Sequence, residues 1–167
     1  ANQIAYTLKV FASYDINKNF EYKIDLGKPL RDLDNYPGTK PPWGTLTALN
    51  LNSGKIIWQV PLGYYESLKL SNKNTGTENF GGATATSGNL VFAAGTIDKL
   101  IRAFDSSTGK ELWSFELPFI GSAPPSVYEV NGEQYVVVPA SGGISLQADR
   151  PNLVKQGDAI VAFKIKN

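Results

Sequence analysis

The chain has 167 residues and a formal net charge of +1, and its 42% hydrophobic and 19% charged residues describe a folded chain with a real core. It contains no cysteine, no histidine and no methionine, which excludes a thiol nucleophile, a covalently attached c-type haem, and the commonest general base and metal ligand. No basic stripe or acidic block occurs, so neither nucleic acid nor an anionic membrane is an expected partner.

Residues 1–12 alternate apolar and polar, and a strand is expected around Ile4–Phe11. No turn signal precedes it, which reads as a cut inside a longer chain. Residues 13–45 are weakly patterned. A short strand is expected over Phe20–Leu26 and a helical turn over Leu30–Leu33, followed by an ordered loop rich in proline and glycine from Asn35 to Gly44. Trp43 reads as a packed loop aromatic. Gly44–Leu51 and Lys55–Pro61 are expected to form a hairpin, and Gly63–Thr77 a polar loop. Glu78–Gly82 reads as a compact turn. Asn89–Gly95 is almost continuously apolar, as a strand buried on both faces would be. Lys99–Asp105 and Glu111–Leu117 form a second expected hairpin. Gln134–Ala140 reads as another buried strand, and Ala159–Lys166 as the last.

The two hairpins are copies of one motif. Ala48-Leu-Asn-Leu-Asn-Ser-Gly54-Lys-Ile-Ile-Trp58 and Ala103-Phe-Asp-Ser-Ser-Thr-Gly109-Lys-Glu-Leu-Trp113 share alanine first, glycine seventh and tryptophan eleventh, 55 residues apart. Ala162-Phe163 echoes Ala103-Phe104. A recurring unit of about 45–55 residues made of short strands is the signature of propeller blades. The expected fold is all-β: a partial β-propeller of about three four-stranded antiparallel blades with tryptophan-docking motifs. It divides into an incomplete blade and connecting loop over 1–43 and blade repeats over 44–120 and 121–167. Three blades do not close a ring, so the chain is expected either to be part of a larger ring, with the remaining blades as its partners, or to assemble with other chains. Trp58 and Trp113 read as core plates that build the ring and do no chemistry, each contributing at least ~2–3 kcal/mol if fully buried.

The Ala…Gly…Trp pattern resembles the tryptophan-docking motif of the quinoprotein dehydrogenases, which use pyrroloquinoline quinone (PQQ). An ordered series of segments strengthens the resemblance: Lys40-Pro-Pro-Trp-Gly-Thr-Leu46, Trp58-Gln-Val-Pro-Leu-Gly63, Thr77-Glu-Asn-Phe-Gly-Gly82, Arg102-Ala-Phe-Asp105, Gly109-Lys-Glu-Leu-Trp113, Tyr128-Glu-Val-Asn-Gly132 and Gln134-Tyr-Val-Val-Val138. They look like the C-terminal blades of PQQ-dependent glucose and alcohol dehydrogenases of the eight-bladed propeller type. The resemblance implies PQQ near the propeller axis with calcium beside it, an aspartate base, hydride transfer from a sugar or alcohol to the quinone, and electrons passed to a haem protein or a quinone. It also implies a periplasmic location.

Four residues match segments that approach the cofactor in that family: Asn2 at a strand end, and Asn79, Phe80 and Gly81 in the turn bordering PQQ. The calcium ligands and base aspartate belong to earlier blades, so no catalytic residue and no metal ligand is assigned here. The fragment alone is expected to bind no cofactor and to lack turnover. Two departures stand out: Ile144–Lys155 replaces the family's glycine-rich ending, and residues 13–34 carry no Cys-x-x-Cys-His haem insert. Asp32, Asp34, Glu66 and Glu78 read as solvated loop charges rather than a catalytic pair. The alternative reading is a non-enzymatic propeller scaffold of the same repeat family, binding proteins at loops or strand edges. Under either reading exposed blade faces are expected to self-associate.

Overall fold

A computed structural model describes residues 6–15, 18–68, 74–142 and 155–164. Among them every regular element is a strand: β1 (Tyr6–Asp15), β2 (Lys18–Pro29), β3 (Thr45–Leu49), β4 (Ile56–Pro61), β5 (Ala83–Ala85), β6 (Leu90–Ala93), β7 (Leu100–Asp105), β8 (Glu111–Glu116), β9 (Ser126–Val130), β10 (Glu133–Ala140) and β11 (Ala159–Lys164). All pairings are antiparallel, in four sheets: β1-β2, β3-β4, β5-β6-β7-β8 and β9-β10-β11. This is the partial propeller expected from the repeat. One sheet carries the full four strands, another three and two carry a pair, so the strands are shared out less evenly than three equal blades.

The four-stranded sheet is packed on both faces, and strand alternation sorts its residues between them. Phe92, Ile101 and Ala103 join Val136, Val138 and Ala140 of β10 in one core, with Val161 and Phe163 of β11 against it. Ala93 and Phe104 form a second core with Leu62, joined by Leu46, Val60 and Val91, against the β3-β4 sheet. Burial from two sides is why Leu100–Phe104 is apolar at nearly every position. Arg102 is the exception. β8, at the outer edge, is exposed along its whole length.

The two motif copies fold alike. Ala48 stands opposite Trp58 and Ala103 opposite Trp113, and each ladder shifts register immediately afterwards. Asn50 and Asp105 open the two turns. Asn50 Oδ1 accepts from the N–H groups of Asn52 and Ser53 at 3.0 Å each, and Asp105 Oδ1 from those of Ser107 and Thr108 at 2.9 Å each. Gly54 and Gly109 then take φ of 68° and 71°, a region that favours glycine, and donate to the carbonyls of Asn50 and Asp105 at 2.7 and 2.8 Å. Trp58 links the two copies: its Nε1–H donates to the Ser106 carbonyl at 2.9 Å. Its ring covers Gly109 so closely that a Cβ there would lie 2.6 Å from Cε3.

Three expectations need correction. Leu30–Leu33 is not a helical turn. Arg31 makes a β-bridge to Pro37, and Asp32 Oδ1 accepts from the backbones of Asp34 and Tyr36 at 3.0 and 2.8 Å, closing a turn instead. The Gly63–Thr77 loop is not simply polar surface, because Tyr65, Thr75 and Thr77 are buried. The tryptophans are not fully buried plates either: Trp58 is half-buried, and Trp113 is 39% exposed, set edge-on to Phe163 at 5.2 Å.

Candidate functional site

The segment leading to β5 is fixed almost residue by residue. Thr75 O accepts from Trp43 N at 2.8 Å, Thr77 N donates to Leu62 O at 2.9 Å, and Thr77 Oγ1 accepts from Ile97 N at 3.3 Å. Glu78 follows and is 3% exposed. Its Oε2 accepts from the Tyr65 hydroxyl and its Oε1 faces Arg31 Nη1 at 3.4 Å. Glu78 is therefore a paired, buried carboxylate and not a solvated loop charge; a carboxylate is held in such a place only where it is paired and hydrogen-bonded. Tyr65 in turn meets Trp43 edge-on at 5.5 Å and Tyr36 edge-on at 5.1 Å. Trp43 is the packed loop aromatic expected from its setting, with Nε1–H donating to Thr39 O at 2.6 Å.

Asn79, Phe80 and Gly81 lie together in the turn that enters β5. Asn79 Nδ2 donates to Ala94 O at 2.6 Å, and its Oδ1 accepts from Gly82 N at 3.2 Å. Phe80 is half-buried. Gly81 presses on the end of β6: a Cβ there would lie 2.3 Å from Ala94 O and 2.9 Å from Gly95 Cα, so only glycine fits. Asn79 and Gly82 also line a cavity of about 300 Å³ with Thr45, Thr47 and Leu62. Gln59 Nε2 donates to Thr47 Oγ1 at 2.9 Å on its β3 wall. Asn2 lies outside the described residues.

A second polar cluster supports the neighbouring loop. Arg102 forms a two-pronged ion pair with Asp98, donates to Thr96 Oγ1 at 3.1 Å, and reaches Glu111 at 3.2 Å. Asp98 also accepts from the N–H groups of Tyr64 and Leu100 at 3.1 Å each. The Tyr64 ring lies under the Arg102 guanidinium, 5.9 Å from ring centroid to Cζ. Burial, then the Asp98 carboxylate, push the Tyr64 hydroxyl pKa up. The sequence held a signal for this cluster. An arginine inside the apolar run Leu100–Phe104, four residues after an aspartate, demands a partner. Glu78 gave no comparable signal, because Arg31 is 47 residues away from it in the chain.

Residues 3–136 match the family model described as the PQQ glucose/ethanol/alcohol dehydrogenase β-propeller domain. The chain belongs to this family of quinoprotein propellers. Curated relatives agree. A quinoprotein glucose dehydrogenase of Escherichia coli is 37% identical over 135 residues, covering 77% of this chain and 16% of that protein. A quinate/shikimate dehydrogenase (quinone) of Acinetobacter baylyi is 38% identical over 161 residues, covering 92% of this chain and 18% of that protein. Among solved structures, the quinohemoprotein alcohol dehydrogenase of Comamonas testosteroni aligns with a TM-score of 0.53 at 25% identity, over 77% of this chain and 17% of that one. The chain thus spans about a sixth of the length of the relatives it matches.

The turn offers chemistry that suits one edge of PQQ, a flat tricarboxylate. It supplies an amide side chain and a half-buried phenyl ring, held in place by Gly81 against Ala94 and Gly95 and by the Gly82 N–H donated to Asn79. It does not make a whole site. Among the described residues no three carboxylates gather to hold a metal ion.

Proposed function

We propose that this chain is a segment of a PQQ-dependent dehydrogenase that oxidises a hydroxyl group of a sugar or alcohol, and that it contributes one border of the cofactor site. The match of residues 3–136 to the quinoprotein propeller family carries this reading. The named relatives act on glucose and on quinate or shikimate. PQQ, when bound, supplies the electron sink that takes a hydride from the carbinol carbon. The residues of this chain bind and orient: Asn79 presents its amide, Phe80 sets an apolar surface beside a flat ring, and Gly81 lets the turn sit tight against Ala94 and Gly95. Asn2 is assigned to the same border on the resemblance of its strand end. The base and the calcium ligands come from blades outside this sequence. The Ala48–Trp58 and Ala103–Trp113 hairpins are the docking elements between blades, a reading supported by the Trp58 contact with Ser106 and Gly109.

Electrons leave to a quinone or a haem protein, in keeping with the names of the relatives, and the enzyme works in the periplasm, as the family resemblance implies. The test is dye reduction with PQQ and calcium by the full-length product of the gene encoding this chain, offered glucose, quinate and ethanol in turn, with cell fractionation alongside. PQQ-dependent turnover by the full-length protein and none by the 167-residue chain is expected. Robust turnover by the chain alone would sink the divided site, and no PQQ-dependent turnover by the full-length protein with any alcohol would sink the dehydrogenase reading.

A further inference from the structure

We propose that Glu78 is a positioning residue for the Asn79–Gly82 turn, an inference that rests on reading that turn as cofactor-facing. Two segments far apart in sequence converge on this one carboxylate, and a third packs behind them. Arg31 reaches it from the closed turn after β2, Tyr65 from the loop after β4, and Trp43 and Tyr36 pack on the Tyr65 ring. Both segments that carry its partners are themselves held. The Arg31 turn is closed by the bridge to Pro37 and by Asp32, and the chain next to Tyr65 is tied through Tyr64 N to Asp98. Displacing the Glu78 carboxylate would take the countercharge from the mostly buried Arg31 side chain and a charged acceptor from the Tyr65 hydroxyl, so its backbone has little freedom.

Asn79 is the next residue. Its amide is fixed from the opposite side by Ala94 O and Gly82 N. The start of the turn is therefore clamped between two anchors, Glu78 on one side and the end of β6 on the other. Clamping of this kind serves a binding group, because a ligand then meets a group already in place and loses no affinity to ordering it. Glu78 has no exposed face of its own, and it acts on a ligand only through the pose of Asn79 and the backbone that follows.

The experiment is a PQQ titration of the full-length apoprotein, followed by isothermal calorimetry, with thermal unfolding measured on the same samples. Tyr65→Phe removes only the hydroxyl and leaves the ring against Trp43 and Tyr36. Glu78→Gln removes the charge and keeps the shape. Each is expected to weaken PQQ binding about ten-fold at a temperature where the protein is folded, the scale on which the outer partners of metal ligands act on metal affinity. If Glu78→Gln does not fold, Tyr65→Phe decides alone. A PQQ affinity within about two-fold of the parent, with a lowered unfolding midpoint and with Asn79→Ala clearly weakened, would show that Glu78 only stabilises and would overturn the proposal. If Asn79→Ala also binds PQQ normally, the reading of the turn itself falls.

Discussion

Glycine does two separable jobs in the repeated hairpin, and the two copies distinguish them. Gly54 and Gly109 share a positive φ, 68° and 71°. An added Cβ at Gly54 meets nothing within 4 Å, whereas at Gly109 it meets the Trp58 ring at 2.6 Å. Gly54→Ala should therefore cost only the left-handed backbone penalty, about 1–2 kcal/mol. Gly109→Ala adds displacement of the indole and loss of its hydrogen bond to Ser106, and should cost at least about 1 kcal/mol more. Urea unfolding of the two variants reads the difference, and equal losses would mean that Trp58 is not held by Gly109. The opening residues of the turns separate in another way. The hydroxyls of Ser107 and Thr108, then the backbone of Thr108, hold the Asp105 carboxyl below the ordinary 3.8. A depressed carboxylate contributes stability above its unfolded pKa and loses it as pH falls through the folded value. Asn50 makes the corresponding turn with a neutral amide. Asp105→Asn should accordingly flatten this part of the acid response, and unfolding midpoints that fall in parallel for parent and variant from neutral pH to below 3.8 would refute the link.

At the scale of elements, β7 is the strand on which both cores depend, and its buried charged residue, Arg102, is tied on several sides. Arg102 is 4% exposed and tied to Asp98, Thr96 and Glu111. Asp98→Asn leaves a buried guanidinium without its main countercharge and should cost about 3–5 kcal/mol, while replacing Arg102 by methionine and Asp98 by asparagine together should cost less than the sum. Glu111 is half-open to water, so Glu111→Gln should cost no more than about 1 kcal/mol. A double-mutant cycle that came out additive would deny the coupling. The hairpins β3-β4 and β7-β8 and the strands β6, β10 and β11 were legible because periodicity and a turn glycine mark them locally. β5 was not, since Ala83-Thr84-Ala85 is three small residues, too short for a period to show, and it is a strand because β6 pairs with it. Glu78 escaped for the same reason at the level of a side chain: its burial is set by Arg31 and Tyr65, which sequence order does not place beside it. The candidate turn was found by resemblance, while the clamp around it is a tertiary feature with no local mark.

At the scale of the whole molecule, most of the exposed apolar residues stand on sheet faces and beside open strand edges. Among the described residues β3 pairs only with β4 and β11 only with β10, so each leaves an open edge. Leu51 is 93% exposed beside the first of these sheets and Ile160 76% exposed on β11, while Leu112 and Phe115 stand open along β8. The relatives are about six times as long, and on the proposed reading further blades of such a length cover these faces. A chain of this length alone has only its own copies to offer, and open strand edges beside apolar faces invite pairing. The isolated chain should sediment as dimers or higher species that dissociate on dilution, and a clean monomer at high concentration would count against the argument. Ile160→Lys separates the two settings. In the isolated chain the substitution sits on an exposed face, so it should reduce association and change the unfolding free energy by no more than about 0.5 kcal/mol. In the full-length protein the same lysine would be pressed against a neighbouring blade, and should lower the unfolding midpoint. Equal effects in the two proteins would mean that this face stays open in the longer one, and that β11 ends a sheet there rather than meeting another blade.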